Sequence, residues 1–281
     1  MIARCRNVAV VLLVVALLPA TSRAIITTNV VLSQTNPLAT TGFDWDYVGG
    51  FNYGSYTSSA VAVSQYWLLT AAHVADDVGN TTIAIAGGTY NQVDEKYHPT
   101  ADLALIKLNR PLPSYYEIYA GSYPSGSGRL TGLLVGYGTT GTVDNATNYT
   151  RTAGGARGIE RWGYNKIDFE DADFAYAISP GTWTNSGFWM YFNTGDSLLE
   201  AGVGPGDSGG GVFVNDGGTW KLAGIMTTDA TINSQDAVFA VNVQDYTAWI
   251  YQSIPEPTTG ILLAGAVLAF GSIRRLRRRF R

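Results

Sequence analysis

Residues 206–210 read Gly206-Asp207-Ser208-Gly209-Gly210. A serine set among glycines stands on a tight turn, because glycine reaches backbone conformations closed to other residues and lets another molecule approach the chain. A serine hydroxyl is a poor nucleophile at neutral pH. It needs a base within hydrogen-bond reach, and that base needs a third group to orient it. The 281-residue chain has only two histidines, His73 and His98. Upstream of the serine lie Leu69-Thr70-Ala71-Ala72-His73 and Asp102-Leu103-Ala104-Leu105-Ile106, which supply a histidine and an aspartate in apolar settings. His73, Asp102 and Ser208 are therefore the candidate base, orienting acid and nucleophile. His98 precedes Asp102 by four residues and reads as a loop histidine rather than a second base.

In this order and at these separations, Thr70-Ala71-Ala72-His73, the segment Asp102–Leu108 and Gly206–Gly210 together resemble the motifs of the chymotrypsin-like (trypsin-fold) serine peptidases. The resemblance spans roughly Phe51 to Tyr251. It implies an all-β fold of two six-stranded antiparallel β-barrels with a short C-terminal helix, and hydrolysis of peptide bonds without a cofactor or metal. By the same resemblance the N–H groups of Gly206 and Ser208 form an oxyanion hole, where losing one donor typically costs about 10²–10³ in rate. Asp207 takes a structural ion pair that holds this loop. Its partner in the animal enzymes is a freshly cut N-terminal Ile or Val. Val48-Gly49-Gly50 resembles such a start but lies too close to His73 and reads as a strand and turn, whereas cleavage after Ala24 would expose the amine of Ile25.

The rest of the body agrees with this expectation. The chain is rich in Gly, Tyr, Thr and Val, and only 14% of its residues are charged, which suits strands and turns more than helices. Ser58–Val63, Tyr66–Thr70, Thr81–Ala86, Asp102–Leu108, Leu133–Gly138, Gly211–Val214, Trp220–Met226 and Val238–Val243 read as strands, with Asp102–Leu108 half-buried. The Asp216-Gly217 step marks a hairpin. Ile25 to Tyr47 reads as an irregular surface wrap, Asp245–Tyr251 as the final helix, and 111–128 as the boundary between barrels.

The resemblance also locates a primary pocket at Gly202, Thr227 and Ala237. Gly202 stands six residues before Ser208, where trypsins carry an aspartate, so a preference for Arg or Lys is not implied. The methyl of Ala237 would narrow the pocket toward small or medium apolar side chains. The acidic run Asp168, Glu170, Asp171 and Asp173 has the oxygens for Ca²⁺ but no EF-hand spacing, and reads as a solvated face.

Both ends read as removable apolar helices. Residues 1–24 combine a basic start, an apolar stretch from Val8 to Leu18 and a small-residue cleavage site at Ser22-Arg23-Ala24, as a secretory signal peptide does. Cys5, the only cysteine, leaves with it, so the exported body has no disulfide. At the other end, Pro255-Glu256-Pro257, the apolar Ile261–Ile273 and an arginine-rich tail to Arg281 resemble the PEP-CTERM sorting signal of Gram-negative bacteria. That resemblance implies transient membrane insertion of residues 255–281 and processing by an exosortase-type enzyme. A permanent anchor is the alternative. Residues 25–254 carry nine Lys and Arg against 21 Asp and Glu, a net charge of −12, which argues against nucleic acid as a partner and for an extracellular body. A non-catalytic surface protein keeping the same scaffold is the other reading of these residues.

Overall fold

The computed structural model describes residues 25–53, 56–78, 81–151 and 158–254, so the expected signal peptide and sorting segment lie outside the described residues. Six strands close the first barrel: β1 (Val48–Tyr53), β2 (Tyr56–Ala62), β3 (Trp67–Thr70), β4 (Thr82–Ile85), β5 (Gly88–Tyr97) and β6 (Ala104–Leu108). Their spatial order is β1-β2-β3-β6-β5-β4, with β4 pairing back onto β1. The second half contains β7 (Thr131–Gly136), β8 (Arg161–Lys166), β9 (Phe169–Ile178), β10 (Gly181–Tyr191), β11 (Gly211–Asp216), β12 (Thr219–Ile232) and β13 (Gln235–Asn242). They form one antiparallel sheet in the order β8-β7-β11-β12-β13-β10-β9.

The fold is all-β and trypsin-like, with one correction to the expectation of two six-stranded barrels. The second body is an open half-barrel of seven strands. It curls far enough to bring β8 beside β10, yet no ladder joins them. Instead, the edge of β8 is met by the segment 199–201: the Tyr164 N–H donates to the Leu199 carbonyl (2.7 Å) and the Asn165 amide to the Ala201 carbonyl (2.9 Å). The β9–β10 hairpin, shifted in register between Asp171 and Phe174, runs on toward the first barrel.

Side-chain alternation along the strands explains the packing. Successive residues of a strand face opposite sides of its sheet. Ala60 and Ala62, Leu68, Ala104 and Ile106 fill the first barrel, while Val61, Leu69 and Leu105 between them face outward. On the other half, Leu134, Val212, Val214, Val238 and Ala240 point into one core, and Leu133, Val135, Phe213, Phe239 and Val241 into the layer shared with the outward residues of the first barrel. Both faces of the central strands are therefore buried. This is why Ala104–Ile106 is buried throughout rather than half-buried. Each fully buried Leu, Val, Ile or Phe contributes about 1.5–3 kcal/mol, which is how a body without disulfides is held.

The connection 109–130 pins to both halves: the Tyr116 N–H bonds the Ala62 carbonyl (3.0 Å) and the Tyr119 N–H the Leu222 carbonyl (2.8 Å). The chain ends on a 3₁₀ turn at Val243–Tyr246 and a short helix at Thr247–Ser253. Among the described residues no helix is long and apolar enough to cross a membrane. The segment from Ile25 is not wholly a surface wrap. Ile25 and Ile26 are fully buried, and Ile26–Thr27 pairs antiparallel with Ala201–Gly202.

Candidate active site

The site lies where the two halves meet. A short helix, α1 (Ala72–Val78), begins right after β3, and the small buried Ala71 and Ala72 let it sit tightly against the barrel. The first N–H groups of a helix have no partner within it. Here the His73 N–H donates to Asp102 Oδ1 at 2.9 Å, and His73 Nδ1 lies 2.7 Å from Asp102 Oδ2. One carboxylate thus fixes both the backbone and the ring of the same histidine. With Nδ1 donating, Nε2 is left as the basic nitrogen of the ring.

Asp102 is fully buried on the turn that enters β6. Its N–H donates to Asn185 Oδ1 on β10 at 2.8 Å, and the Tyr176 phenol on β9 donates to its Oδ2 at 2.6 Å. His98 organises the same turn: its Nδ1 accepts from the N–H groups of Thr100 (3.3 Å) and Ala101 (2.9 Å), while its ring packs edge-on against Tyr246 and Trp249. Burial lowers its pKa, which suits an acceptor nitrogen in the neutral ring.

Ser208 follows from the other half. Gly206 and Gly209 bracket it at φ 97° and 84°, in the region that favours glycine. A side chain at Gly209 would strike the Ser59 carbonyl and the Thr70 hydroxyl. The first barrel grips this loop through Ser59, whose N–H donates to the Ser208 carbonyl (3.0 Å) and whose hydroxyl donates to the Gly206 carbonyl (3.0 Å). Among the described residues neither the Gly206 nor the Ser208 N–H has a hydrogen-bond acceptor. The Ser208 hydroxyl donates to the Thr227 carbonyl at 3.3 Å rather than to His73. Catalytic hydrogen bonds are often loose in the absence of substrate and tighten when it binds.

Asp207 is fully buried beneath the loop. Its Oδ1 accepts from the Gly138 N–H (2.8 Å) and its Oδ2 from the Gly204 N–H (2.9 Å). The backbone N–H of Ile25 also bonds this carboxyl, and the guanidinium of Arg161, fully buried on β8, lies close enough to favour its charge. Burial dominates nonetheless, and pushes the Asp207 pKa up to about 7. Ile25 itself sits at φ 45°, a region β-branched residues seldom occupy.

The pocket differs from its expected lining. A cavity of about 210 Å³ opens beside Ser208, walled by Val203, Met226, Thr227 and Thr228, with Ile178 from β9 and the Arg151–Asp229 ion pair on its edge. Thr227 lines this cavity, whereas Gly202 and Ala237 do not. The Tyr149 ring packs directly on Gly202, so a side chain added there would strike it. Ala237 is buried within the sheet, paired with Tyr191 on β10 and Ala230 on β12. The acidic run holds no cluster suited to a metal among the described residues. Asp168 pairs with Arg129 and accepts the Tyr191 N–H (2.7 Å), and Asp171 accepts the Trp189 indole N–H (3.3 Å).

Tyr176, Asn185, Ser59, Arg161 and Tyr149 were not singled out from the sequence. No spacing signals them, since each acts on a residue remote in the chain.

The fold is matched by known proteins. A family profile for trypsin matches residues 38–250. Among solved structures, an inactive form of Rv3671c from M. tuberculosis carrying Ser343Ala shares 18% identity at a TM-score of 0.55, covering 83% of this chain and 99% of that one. The active form of the Rv3671c protease shares 16% identity at a TM-score of 0.53, covering 78% and 85%. No curated protein matches in sequence. With the profile spanning most of both halves and the solved structures sharing their fold, the chain belongs to the trypsin family.

Proposed function

We propose that residues 25–254 are an exported serine endopeptidase that works through His73, Asp102 and Ser208. One observation carries the reading: a buried aspartate holds a histidine of the first barrel at two points, the same barrel grips the Ser208 loop through Ser59, and the Gly206 and Ser208 N–H groups have no acceptor among the described residues. In the reaction, Ser208 Oγ attacks the scissile carbonyl as its proton passes to His73 Nε2. The two free N–H groups receive the oxyanion. The imidazolium, stabilised by Asp102, then gives its proton to the departing amine. Water repeats the sequence on the acyl-enzyme and frees Ser208. The exported protein is expected to react with a fluorophosphonate probe, and Ser208→Ala is expected to abolish labelling. Equal labelling of both, or none of the folded wild type, would favour the non-catalytic scaffold.

The cavity supports a preference for short uncharged side chains before the scissile bond. The charges of Arg151 and Asp229 satisfy each other, and Tyr149 stands behind Val203 and Asp229, its phenol 3.5 Å from Asp229 Oδ2. Tyr149→Ala should deepen the cavity and raise selectivity for Leu or Phe over Ala by about ten-fold or more, the range for one or two methylenes in an apolar pocket. Fluorogenic peptides varied at that position would show it.

We assign residues 1–24 to export by a signal peptidase, and residues 255–281 to transient membrane insertion and sorting to the surface of a Gram-negative cell by an exosortase-type enzyme. The acidic body, at −12, suits that location and protein or peptide substrates rather than nucleic acid. Export is further proposed to activate the enzyme: cleavage after Ala24 turns the Ile25 N–H already bonded to Asp207 into an ammonium.

A further inference from the structure

The β9–β10 hairpin belongs to the second half of the molecule, yet its two strands take hold of an acid in the first. Tyr176 on β9 donates to Asp102 Oδ2 at 2.6 Å, and Asn185 on β10 accepts the Asp102 N–H at 2.8 Å. A third bond, from the Thr184 N–H to the Thr100 carbonyl (3.0 Å), fastens the same turn. The phenol reaches the very oxygen that His73 Nδ1 faces. We propose that Tyr176 is a positioning residue of the catalytic acid: its phenol fixes the Asp102 carboxylate against His73 and sets how strongly that carboxylate stabilises the imidazolium. The proposal rests on the serine-peptidase reading above.

The chemistry is as follows. A fully buried carboxylate needs its lone pairs satisfied. Among the described residues Oδ2 has two donors, the His73 ring and the Tyr176 phenol. The phenol stays protonated, and so remains a donor, because burial first and the neighbouring Asp102 charge second raise its pKa. A hydrogen bond to a charged acceptor is short and strong. It also withdraws charge from Oδ2, which makes that oxygen a weaker partner for the imidazolium. The carboxylate is thereby held in place against the ring without binding the imidazolium at full strength. Asn185 accepts the Asp102 N–H and also hydrogen-bonds the Tyr176 phenol, so it reaches Oδ2 only through that ring.

The test uses the full-length protein after native export, comparing Tyr176→Phe, Asn185→Ala and Ser208→Ala by kcat/KM across the pH range and by thermal unfolding. Tyr176→Phe is expected to lower kcat/KM by about ten-fold, the scale of one hydrogen bond to a charged group. It should also move the acidic limb of the profile to higher pH, since the imidazolium is then better stabilised. Asn185→Ala, which leaves the phenol in place, should lower the unfolding temperature and move that limb less than Tyr176→Phe does. If Tyr176→Phe fails to fold, 3-fluorotyrosine at position 176 keeps the shape while strengthening the donor, and should move the limb to lower pH. An unmoved limb in the folded variant, or activity lost only in step with folded protein, would overturn the proposal. Activity surviving in Ser208→Ala would instead overturn the nucleophile on which it rests, so the two failures are distinct.

Discussion

Asp102→Asn is expected to lower kcat/KM by about 10⁴, the scale seen when the acid of such a triad becomes an amide. The contacts at this site show why so small a change has so large an effect. Asp102 receives three donors on two oxygens: the His73 N–H on Oδ1, and the His73 ring and Tyr176 phenol on Oδ2. An amide offers one acceptor oxygen and one NH₂ group, which only donates. If the oxygen keeps the Oδ2 position, the NH₂ meets the backbone N–H at the start of α1, and a buried donor is left unpaired at about 1–3 kcal/mol. If it takes the Oδ1 position, the NH₂ faces Nδ1 and selects the tautomer with its proton on Nε2. That ring cannot accept the Ser208 proton. Either way the negative charge that stabilises the imidazolium is gone. Steady-state hydrolysis of a fluorogenic peptide, with a melting curve on the same sample, measures both effects. A loss smaller than about ten-fold would mean that Asp102 is not the orienting acid.

How far the sequence carries this site depends on whether a residue's partner is close along the chain or visible as a pattern. The barrel strands are legible because alternation is a local property. Leu68 and Leu69, or Val212 and Phe213, face opposite cores simply because neighbours in a strand do. The candidate triad is legible because its three motifs are distinct. What decides the fine geometry is neither local nor patterned. Tyr176 and Asn185 are 74 and 83 residues from Asp102, and nothing in Phe174-Ala175-Tyr176-Ala177 distinguishes a phenol bonded to a buried aspartate from one on a strand surface.

The pocket fails for a related reason. Gly202 is the position expected at its base, but what occupies that space is Tyr149, brought in by a connection whose path the sequence does not give. Ala237 is placed by the pairing of β13 between β10 and β12, a register that depends on the bulge between Met226 and Thr228 in β12. The open second half has the same origin. Strand positions can be read along the chain, but closure depends on whether β8 and the β9–β10 hairpin meet, and the segment 199–201 intervenes.

A body beginning at Ile25 should be at least about 10² more active than the same body carrying one extra residue before it, because without the Ile25 ammonium the loop under Ser208 is held by hydrogen bonds to a carboxyl that resists ionisation despite the nearby Arg161. Losing the alignment of one oxyanion donor costs about 10²–10³. In the chain as it stands, the Ile25 nitrogen is an amide, and burial pushes the Asp207 pKa from 3.8 up to about 7 despite the help of Arg161. The folded state then binds a proton that the unfolded state has lost. Stability from this group is full below pH 4 and drains away as pH rises toward 7, by about 4 kcal/mol at most. A free amine at Ile25 changes the sign of the problem. It places a positive charge where only a neutral N–H stood, favours the Asp207 carboxylate and flattens that loss. It also frees a β-branched residue from φ 45°, since an N-terminal residue has no φ to constrain. The amine brings its own limit: an α-amino group has a pKa near 8 in the unfolded chain, and once it loses its proton the ion pair is lost. The Ile25-start form should therefore show an alkaline limb in kcat/KM that the extended form lacks, and the extended form should melt progressively lower between pH 4 and 7. Mass analysis of the active exported protein should find Ile25 at its N-terminus. Equal activity and matching pH profiles for the two forms would show that Arg161 suffices to hold Asp207 and that leader removal serves export alone.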